Sequence, residues 1–136
     1  MSGENKKFNL ELFFSALADK TRLRLLNLMR EDEICVCFFV EILATNQPKI
    51  SRHLAYLRKA GLVAARRDAK WMHYRIIKPT QPQAAKIFAD LMNWLAEDPE
   101  MQKDRRQLSK ICCAPQLPIQ LRSAPIPVSM AKNNAV

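Results

Sequence analysis

Residues 45–61 mark both ends of a single helix, and this stretch restricts the fold of the chain more than any other. Asn46 is a residue type that caps helix N-termini through its side-chain oxygen, and Pro48 falls in the first turn, where a missing backbone N–H does no harm. Gly61 can adopt the left-handed conformation that ends helices. Apolar residues recur between these ends at helical spacing, at Ile50, Leu54, Leu57 and Ala60. We therefore expect a helix over residues 47–60 with one buried face.

The sequence before this helix predicts three more helices. Residues 8–18 carry an apolar stripe wide enough to be buried on two sides. A second helix follows from Asp19, a residue type that caps helices, to about Glu31. A third is expected over residues 33–44. The loop between the third and fourth helices is short, as a helix-turn-helix requires.

Residues 63–77 change to strand character. Valine, tryptophan, tyrosine and isoleucine flank a polar centre at residues 67–70, which predicts a two-stranded hairpin with its tip there, although Ala69 is a weak turn residue. A last helix is expected over residues 83–97, with a further turn or two over residues 101–110. Helices followed by a basic hairpin are typical of a winged helix-turn-helix, so the predicted fold is mainly α with a small β-hairpin.

The remaining segments divide the chain. We expect an N-terminal arm at residues 1–7, a domain at 8–110, and a flexible, proline-rich tail with cysteines at 111–136. The longest apolar stretch, residues 34–40, is too short for a membrane span, and no apolar signal region follows the N-terminus. We therefore expect a cytoplasmic protein with no membrane partner. In that reducing compartment its four cysteines are predicted to be ligands or redox groups rather than structural disulfides.

The net charge of +9 is concentrated in one part of the chain. Residues 48–80 hold nine lysines and arginines against one acid, Asp68. A basic face on one supersecondary unit predicts a polyanionic partner, here double-stranded DNA. On charge alone, a solvated basic surface explains the pattern equally well.

The helix over residues 47–60 is the predicted recognition helix, lying in the major groove with its N-terminal residues towards base edges. Its exposed positions and the hairpin tip supply the candidate DNA-binding residues: Gln47, Lys49, Ser51, Arg52, Arg66, Arg67 and Lys70. His53 is a further candidate, but it neighbours the buried Leu54, so a packed, hydrogen-bonded histidine is the favoured interpretation.

Several ordered motifs over about residues 8–97 resemble the ArsR/SmtB family of metalloregulatory repressors. Residues 18–26 are similar to its DPTRLRIL signature, and residues 50–54, 57–63 and 70–75 continue the resemblance in register. The resemblance implies a repressor that binds a near-palindromic operator as a homodimer formed through the first and last helices. Lys20 departs from the usual proline, and Ala69 from the usual wing glycine.

Residues 33–37 resemble the arsenic-sensing motif ELCVCDL of the ArsR branch. The family's CVCxxC form has a third cysteine where this chain has Val40. The resemblance thus implies that Cys35 and Cys37 are ligands for arsenite or antimonite. Either ion takes three thiolates, so one more sulfur is needed. Cys112 and Cys113 are the candidates for this third sulfur; the alternatives are that both bind an ion separately or that they are an unligated pair in the tail.

Helix geometry predicts a consequence for DNA binding. Residues i and i+2 of an ideal helix point about 200° apart, so we expect the start of the third helix to unwind when one ion binds both sulfurs. Three alternatives remain: the cysteines are small buried hydrophobes, a thiol redox switch, or ligands for another soft metal ion. An enzyme is not expected, because the chain has no CxxC, no nucleotide-binding glycine motif and no carboxylate pair.

Overall fold

The computed structural model describes residues 8–112 and 124–130. In these residues the chain is mainly helical, which confirms the predicted fold class. The helices are α1 (Leu10–Leu17), α2 (Lys20–Met29), α3 (Val36–Leu43), α4 (Gln47–Lys59), α5 (Pro82–Glu97) and α6 (Pro99–Cys112). The strands are β1 (Ile34–Cys35), β2 (Val63–Asp68) and β3 (Trp71–Ile76).

Local hydrogen bonds fix both ends of α4 where the sequence predicts them. Asn46 Oδ1 accepts a hydrogen bond of 2.9 Å from the backbone N–H of Lys49. At the other end Gly61 has a φ of 78°. The N–H of Leu62 donates to the carbonyl of Leu57 at 2.9 Å, and Gly61 makes the inner bond that accompanies it in a Schellman motif. The predicted cap of α2 is also confirmed, since Asp19 Oδ2 accepts from the first turn at 3.0 Å.

The sheet contains a strand that the sequence does not predict. The hairpin of β2 and β3 forms as expected, but the order is β1-β3-β2, all antiparallel, with Ile34 opposite Tyr74 and Cys35 opposite His73. The third helix therefore begins at Val36 rather than at residue 33. A two-residue strand shows no period in the sequence, and it exists here because β3 offers it an edge.

The wing tip is a two-residue turn between paired Asp68 and Trp71. Its first residue, Ala69, has a φ of 54°, in the region that favours glycine. An alanine side chain in that conformation is strained by about 1–2 kcal/mol. The hairpin forms in spite of this weak turn residue because both strands pair along their full length.

Helix α6 is longer than the predicted turn or two. It packs against α2, α3 and α5. Asp104, which is 4% exposed, accepts hydrogen bonds from Arg24 Nε at 2.7 Å and Nη2 at 3.0 Å. Asn27, fully buried on α2, donates from Nδ2 to the carbonyl of Met101 at 2.9 Å. Together with the buried Met101, Leu108 and Cys112, these polar contacts hold α6 against the rest of the domain.

Residues 124–130 lie against the same core. Ala124 and Met130 are buried in it, and Ser129 Oγ donates to Asp32 Oδ2 at 2.7 Å. The arm at 1–7 and most of the tail lie outside the described residues, so the predicted division of the chain there stays a prediction. Within residues 8–112 and 124–130, no helix is long and apolar enough to cross a membrane.

Candidate DNA interface and thiol site

The N-terminal half of α4 presents a polar face to solvent. Gln47, Lys49 and Arg52 are exposed and Ser51 is half-buried. The opposite face, formed by Ile50, Leu54 and Leu57, is fully buried. Four of the predicted DNA-binding residues therefore share the free side of one rigid helix, where they can meet base edges and phosphates.

His53 faces the domain interior. Its Nδ1 lies 3.1 Å from Arg22 Nη1 and 3.7 Å from Asp19 Oδ2. Since a guanidinium can only donate, Nδ1 acts as the acceptor. Arg22 also stacks over the Tyr56 ring at 4.3 Å and donates to the carbonyls of Ser15 and Ala16. His53 is thus part of a polar cluster that fixes α4 to α1 and α2.

Sequence reasoning missed the role of Arg22, which joins these three helices. The signal was available: Arg22 lies three residues after the helix cap Asp19, in the motif that carries the family resemblance. A long cation at that position, one turn into α2, can reach back to the end of α1.

The wing carries three exposed cations near its tip, but they differ in their contacts. Arg67 is exposed, and the Lys70 ammonium lies 5.0 Å from the centre of the Trp71 ring. Arg66 instead forms an ion pair with Glu33, which the sequence analysis did not predict. Its Nε donates to both carboxylate oxygens at 3.1 Å and its Nη2 donates to Oε1 at 2.7 Å. This bond lowers the pKa of Glu33 and raises that of Arg66.

The sulfurs of Cys35 and Cys37 lie 3.1 Å apart. The expectation that they point to opposite sides of a helix is wrong, because Cys35 precedes the helix. Cys35 is the extended N-cap residue of α3, with φ −69° and ψ 139°, and Cys37 lies in the first turn. The two thiols therefore meet without any unwinding of α3.

Contact between the thiols separates their acidities. The pKa of Cys35 is lowered to about 7, chiefly because its thiolate accepts a hydrogen bond from Cys37. The pKa of Cys37 is raised, because its proton is held by Cys35 and because burial disfavours a second negative charge. The pair therefore shares one proton near neutral pH. Cys35 is fully buried and Cys37 is half-buried, so a ligand from solvent meets Cys37 first.

The other predicted ligands do not complete this site in the described structure. Cys112 is 1% exposed at the end of α6, in the same core as Cys35. Among residues 8–112 and 124–130, no three Cys, His, Asp or Glu side chains converge as metal ligands. Cys113 lies outside the described residues. His73, paired with Cys35 in the sheet, is buried, and its Nε2 makes no hydrogen bond within the described part of the chain.

Known proteins are similar to this chain in sequence and in fold. Residues 19–65 match the family described as "Bacterial regulatory protein, arsR family". The arsenical resistance operon repressor of Escherichia coli (strain K12) is 42% identical over 102 residues, covering 74% of this chain and 86% of that protein. The arsenic resistance transcriptional regulator ArsR1 of Pseudomonas putida is 49% identical over 73 residues, covering 53% of this chain and 56% of that protein.

A solved structure agrees with the fold. Reduced HlyU from Vibrio cholerae N16961 superimposes with a TM-score of 0.54 at 27% sequence identity, covering 62% of this chain and 85% of that chain. The family resemblance in the sequence is therefore confirmed, and with it the prediction that the protein is a regulator rather than an enzyme. The chain belongs to the ArsR family of bacterial regulatory proteins, which bind DNA through a winged helix-turn-helix.

Proposed function

We propose that this protein is a transcriptional repressor that leaves its operator when trivalent arsenic or antimony binds the thiolates of Cys35 and Cys37. The observation that carries the proposal is the 3.1 Å contact between the two sulfurs. Two relatives, from E. coli and P. putida, are named for arsenical and arsenic resistance, which supports this choice of effector.

The chemistry of the pair suits a thiophilic ion. Thiolates are soft ligands and select such ions over magnesium or calcium. The thiolate is the binding form, and a pKa of about 7 leaves Cys35 substantially ionised at neutral pH. Metal–sulfur bonds are about 2.3 Å long in zinc sites, so both sulfurs, 3.1 Å apart, can contact one ion with bonds of similar length.

A third sulfur comes from Cys112 or Cys113 in this proposal. Cys112 is the better supported of the two, because α6 packs against α3 and buries Cys112 in the core that contains Cys35. Joining it to the pair requires α6 or the start of α3 to move, since no three ligands converge among the described residues. Such a movement would transmit the effect of ion binding to α3, which packs against α4.

DNA binding uses the exposed face of α4 and the wing. Gln47, Lys49, Ser51 and Arg52 lie in the major groove, where their side chains match base edges and phosphates. Arg67 and Lys70 of the wing contact the phosphate backbone, joined by Arg66 when its guanidinium is available. Because these are charged contacts, operator affinity should fall steeply as salt rises.

A homodimer presents two such surfaces to a near-palindromic operator. Apolar side chains of α1 and α5 remain exposed in the monomer, among them Leu10 at 60% and Trp94 at 73%. Trp94 also lines a groove with Leu17, Leu23 and Leu91. A second copy that covers these residues would remove the largest exposed ring on α5 from water.

The test is a titration of arsenite into the DNA-bound protein. A duplex selected by the wild type from a random-sequence library serves as operator, and fluorescence anisotropy reports release. Wild type should release the duplex. Cys35→Ser and Cys37→Ser should bind DNA as wild type does but fail to release it. Full release by either variant would place the ligands elsewhere. Cys112→Ser and Cys113→Ser then identify the third sulfur, as the variant with weakened release.

A thiol redox switch is the second candidate function. The two sulfurs in contact, with the pKa of Cys35 near 7, also suit oxidation, because the thiolate is the reactive form. Adding peroxide without arsenite distinguishes the redox switch from the metalloid sensor. Release by peroxide alone, reversed by a reductant, would favour the redox switch, whereas release by arsenite under reducing conditions would favour the metalloid sensor.

A further inference from the structure

A charged contact joins the thiol-bearing segment to the wing. Cys35 of β1 and Arg66 of β2 both lie opposite His73, on the central strand β3. Residues directly opposite each other in a sheet point to the same face, so these three form one row across the sheet. Glu33, two residues before Cys35, forms an ion pair with the Arg66 guanidinium at the end of this row, with a closest N···O distance of 2.7 Å.

The contact occupies the part of Arg66 that would bind DNA. Nε and Nη2 donate to the two oxygens of Glu33. This is the bidentate arrangement by which arginine also recognises phosphate. Arg66 therefore cannot hold a DNA phosphate in the same way while it holds Glu33. Its neighbour Arg67 lies on the opposite face of the strand and is exposed.

The thiol pair follows Glu33 closely in the chain, with Cys35 in β1 and Cys37 in α3. Strand β1 is only two residues long, and Cys37 lies in the first turn of α3. An ion bound to both sulfurs would tie β1 to α3, so that residues 33–37 would lose conformational freedom. Withdrawing Glu33 from Arg66 would then become less favourable than in the free protein.

We propose that Glu33 is a positioning residue that regulates the wing: it holds Arg66 off the DNA when the thiol pair is bridged, and releases Arg66 to a backbone phosphate in the operator complex. The inference rests on the proposed function, since it names a path from the thiol site to the DNA. Coupling of this kind is reciprocal, so operator DNA weakens metalloid binding through the same pair.

The decisive variant is Glu33→Gln, compared with Glu31→Gln. Both remove one negative charge from the same loop, but Glu31 is exposed and its ion pair is with Lys78, at 3.6 Å, rather than with Arg66. Without effector, Glu33→Gln should bind the selected duplex about two- to fivefold more tightly, the range expected for losing one exposed ion pair. Glu31→Gln should bind as wild type does. Equal affinities of the two variants would overturn the proposal.

A double-mutant cycle shows whether Glu33 acts through Arg66. Arg66→Gln alone should weaken binding, and adding Glu33→Gln to it should change nothing further, because the competition no longer exists. A general structural effect of Glu33 would persist in the Arg66→Gln background and would count against the proposal. Thermal unfolding of each variant checks that all are folded at the assay temperature.

Arsenite distinguishes failure of this inference from failure of the proposed function. Saturating arsenite should weaken operator binding by a smaller factor in Glu33→Gln than in wild type. The number of free thiols that arsenite removes should be the same in both proteins. If wild type and Glu33→Gln are released equally, the sensor stands and the Glu33 path is wrong. If arsenite releases neither, the proposed function fails, and the effector-free affinities still decide whether Glu33 restrains Arg66.

Discussion

Cys35 lies with its sulfur 3.1 Å from that of Cys37, because Cys35 ends a strand and Cys37 lies in the first turn of the helix that follows. The chain turns at this strand-to-helix junction and brings the two side chains together. In a continuous helix they would point about 200° apart. The pair is thus assembled before any ligand arrives. In the proposed mechanism, an ion bound to the pair restricts this junction and thereby acts on the contact between Glu33 and Arg66.

The acidity of Cys35 should depend on Cys37. In protein whose Cys112 and Cys113 are changed to serine, the thiolate absorbance of Cys35 should rise through a pH of about 7. Cys37→Ala removes the hydrogen-bond donor, so the midpoint should move upward. Cys37→Ser keeps a donor and should leave it closer to the wild-type value. An unchanged midpoint in Cys37→Ala would show that the thiol contact does not set the pKa.

Arg67→Ala should weaken DNA binding across all sequences and reduce the slope of log affinity against log salt by about 0.9, as expected for one lost phosphate contact. The measurement is fluorescence anisotropy at several salt concentrations. Lys103→Ala is the control, because it removes one exposed charge from α6, far along the chain from α4 and the wing. The same slope in Arg67→Ala and wild type would exclude a phosphate contact for Arg67.

Ala69→Gly should stabilise the protein by about 1 kcal/mol, because glycine adopts a φ of 54° without the side-chain clash of alanine. Urea unfolding measures the change. Ala55→Gly, at an exposed position within α4, should destabilise by a similar amount, since glycine is a poor helix former. Loss of stability in Ala69→Gly would mean that the turn is not strained.

The Arg24–Asp104 ion pair should contribute more to stability than the ion pair between Lys20 and Glu100. Asp104 is 4% exposed, and its loss leaves the half-buried Arg24 without its carboxylate. Asp104→Ala should therefore cost about 1–3 kcal/mol in urea unfolding. Glu100→Ala should cost less than about 1 kcal/mol, because both partners of that pair are solvated. Equal costs would contradict the burial-based ranking.

Trp94→Glu should shift the protein towards monomer, because it places a charge in the proposed interface of α1 and α5. Analytical ultracentrifugation measures the oligomeric state. Lys86→Glu, at an exposed position on the same helix, reverses a charge without removing an apolar side chain. A Trp94→Glu protein that sediments as wild type does would remove α5 from the interface.

The sequence by itself determined what depends on neighbours within a few residues. The N-cap Asn46 and the terminating Gly61 fix α4 through bonds spanning at most five residues, so its length and its exposed polar face were predictable. The family resemblance over residues 18–26 likewise rests on one continuous stretch of sequence. The same reasoning failed at residues 33–35, where apolar residues at helical spacing lie before the true start of α3 at Val36.

Tertiary structure decided the contacts between distant parts of the chain. Strand β1 has no period of its own and forms only against β3, which brings Cys35 opposite His73. The Glu33–Arg66 pair spans 33 residues of sequence, and no local pattern indicates which acid a basic wing residue meets. The physical reason is the same in both cases: pairing across a sheet depends on register between remote strands, whereas helix ends depend on the residues that form them.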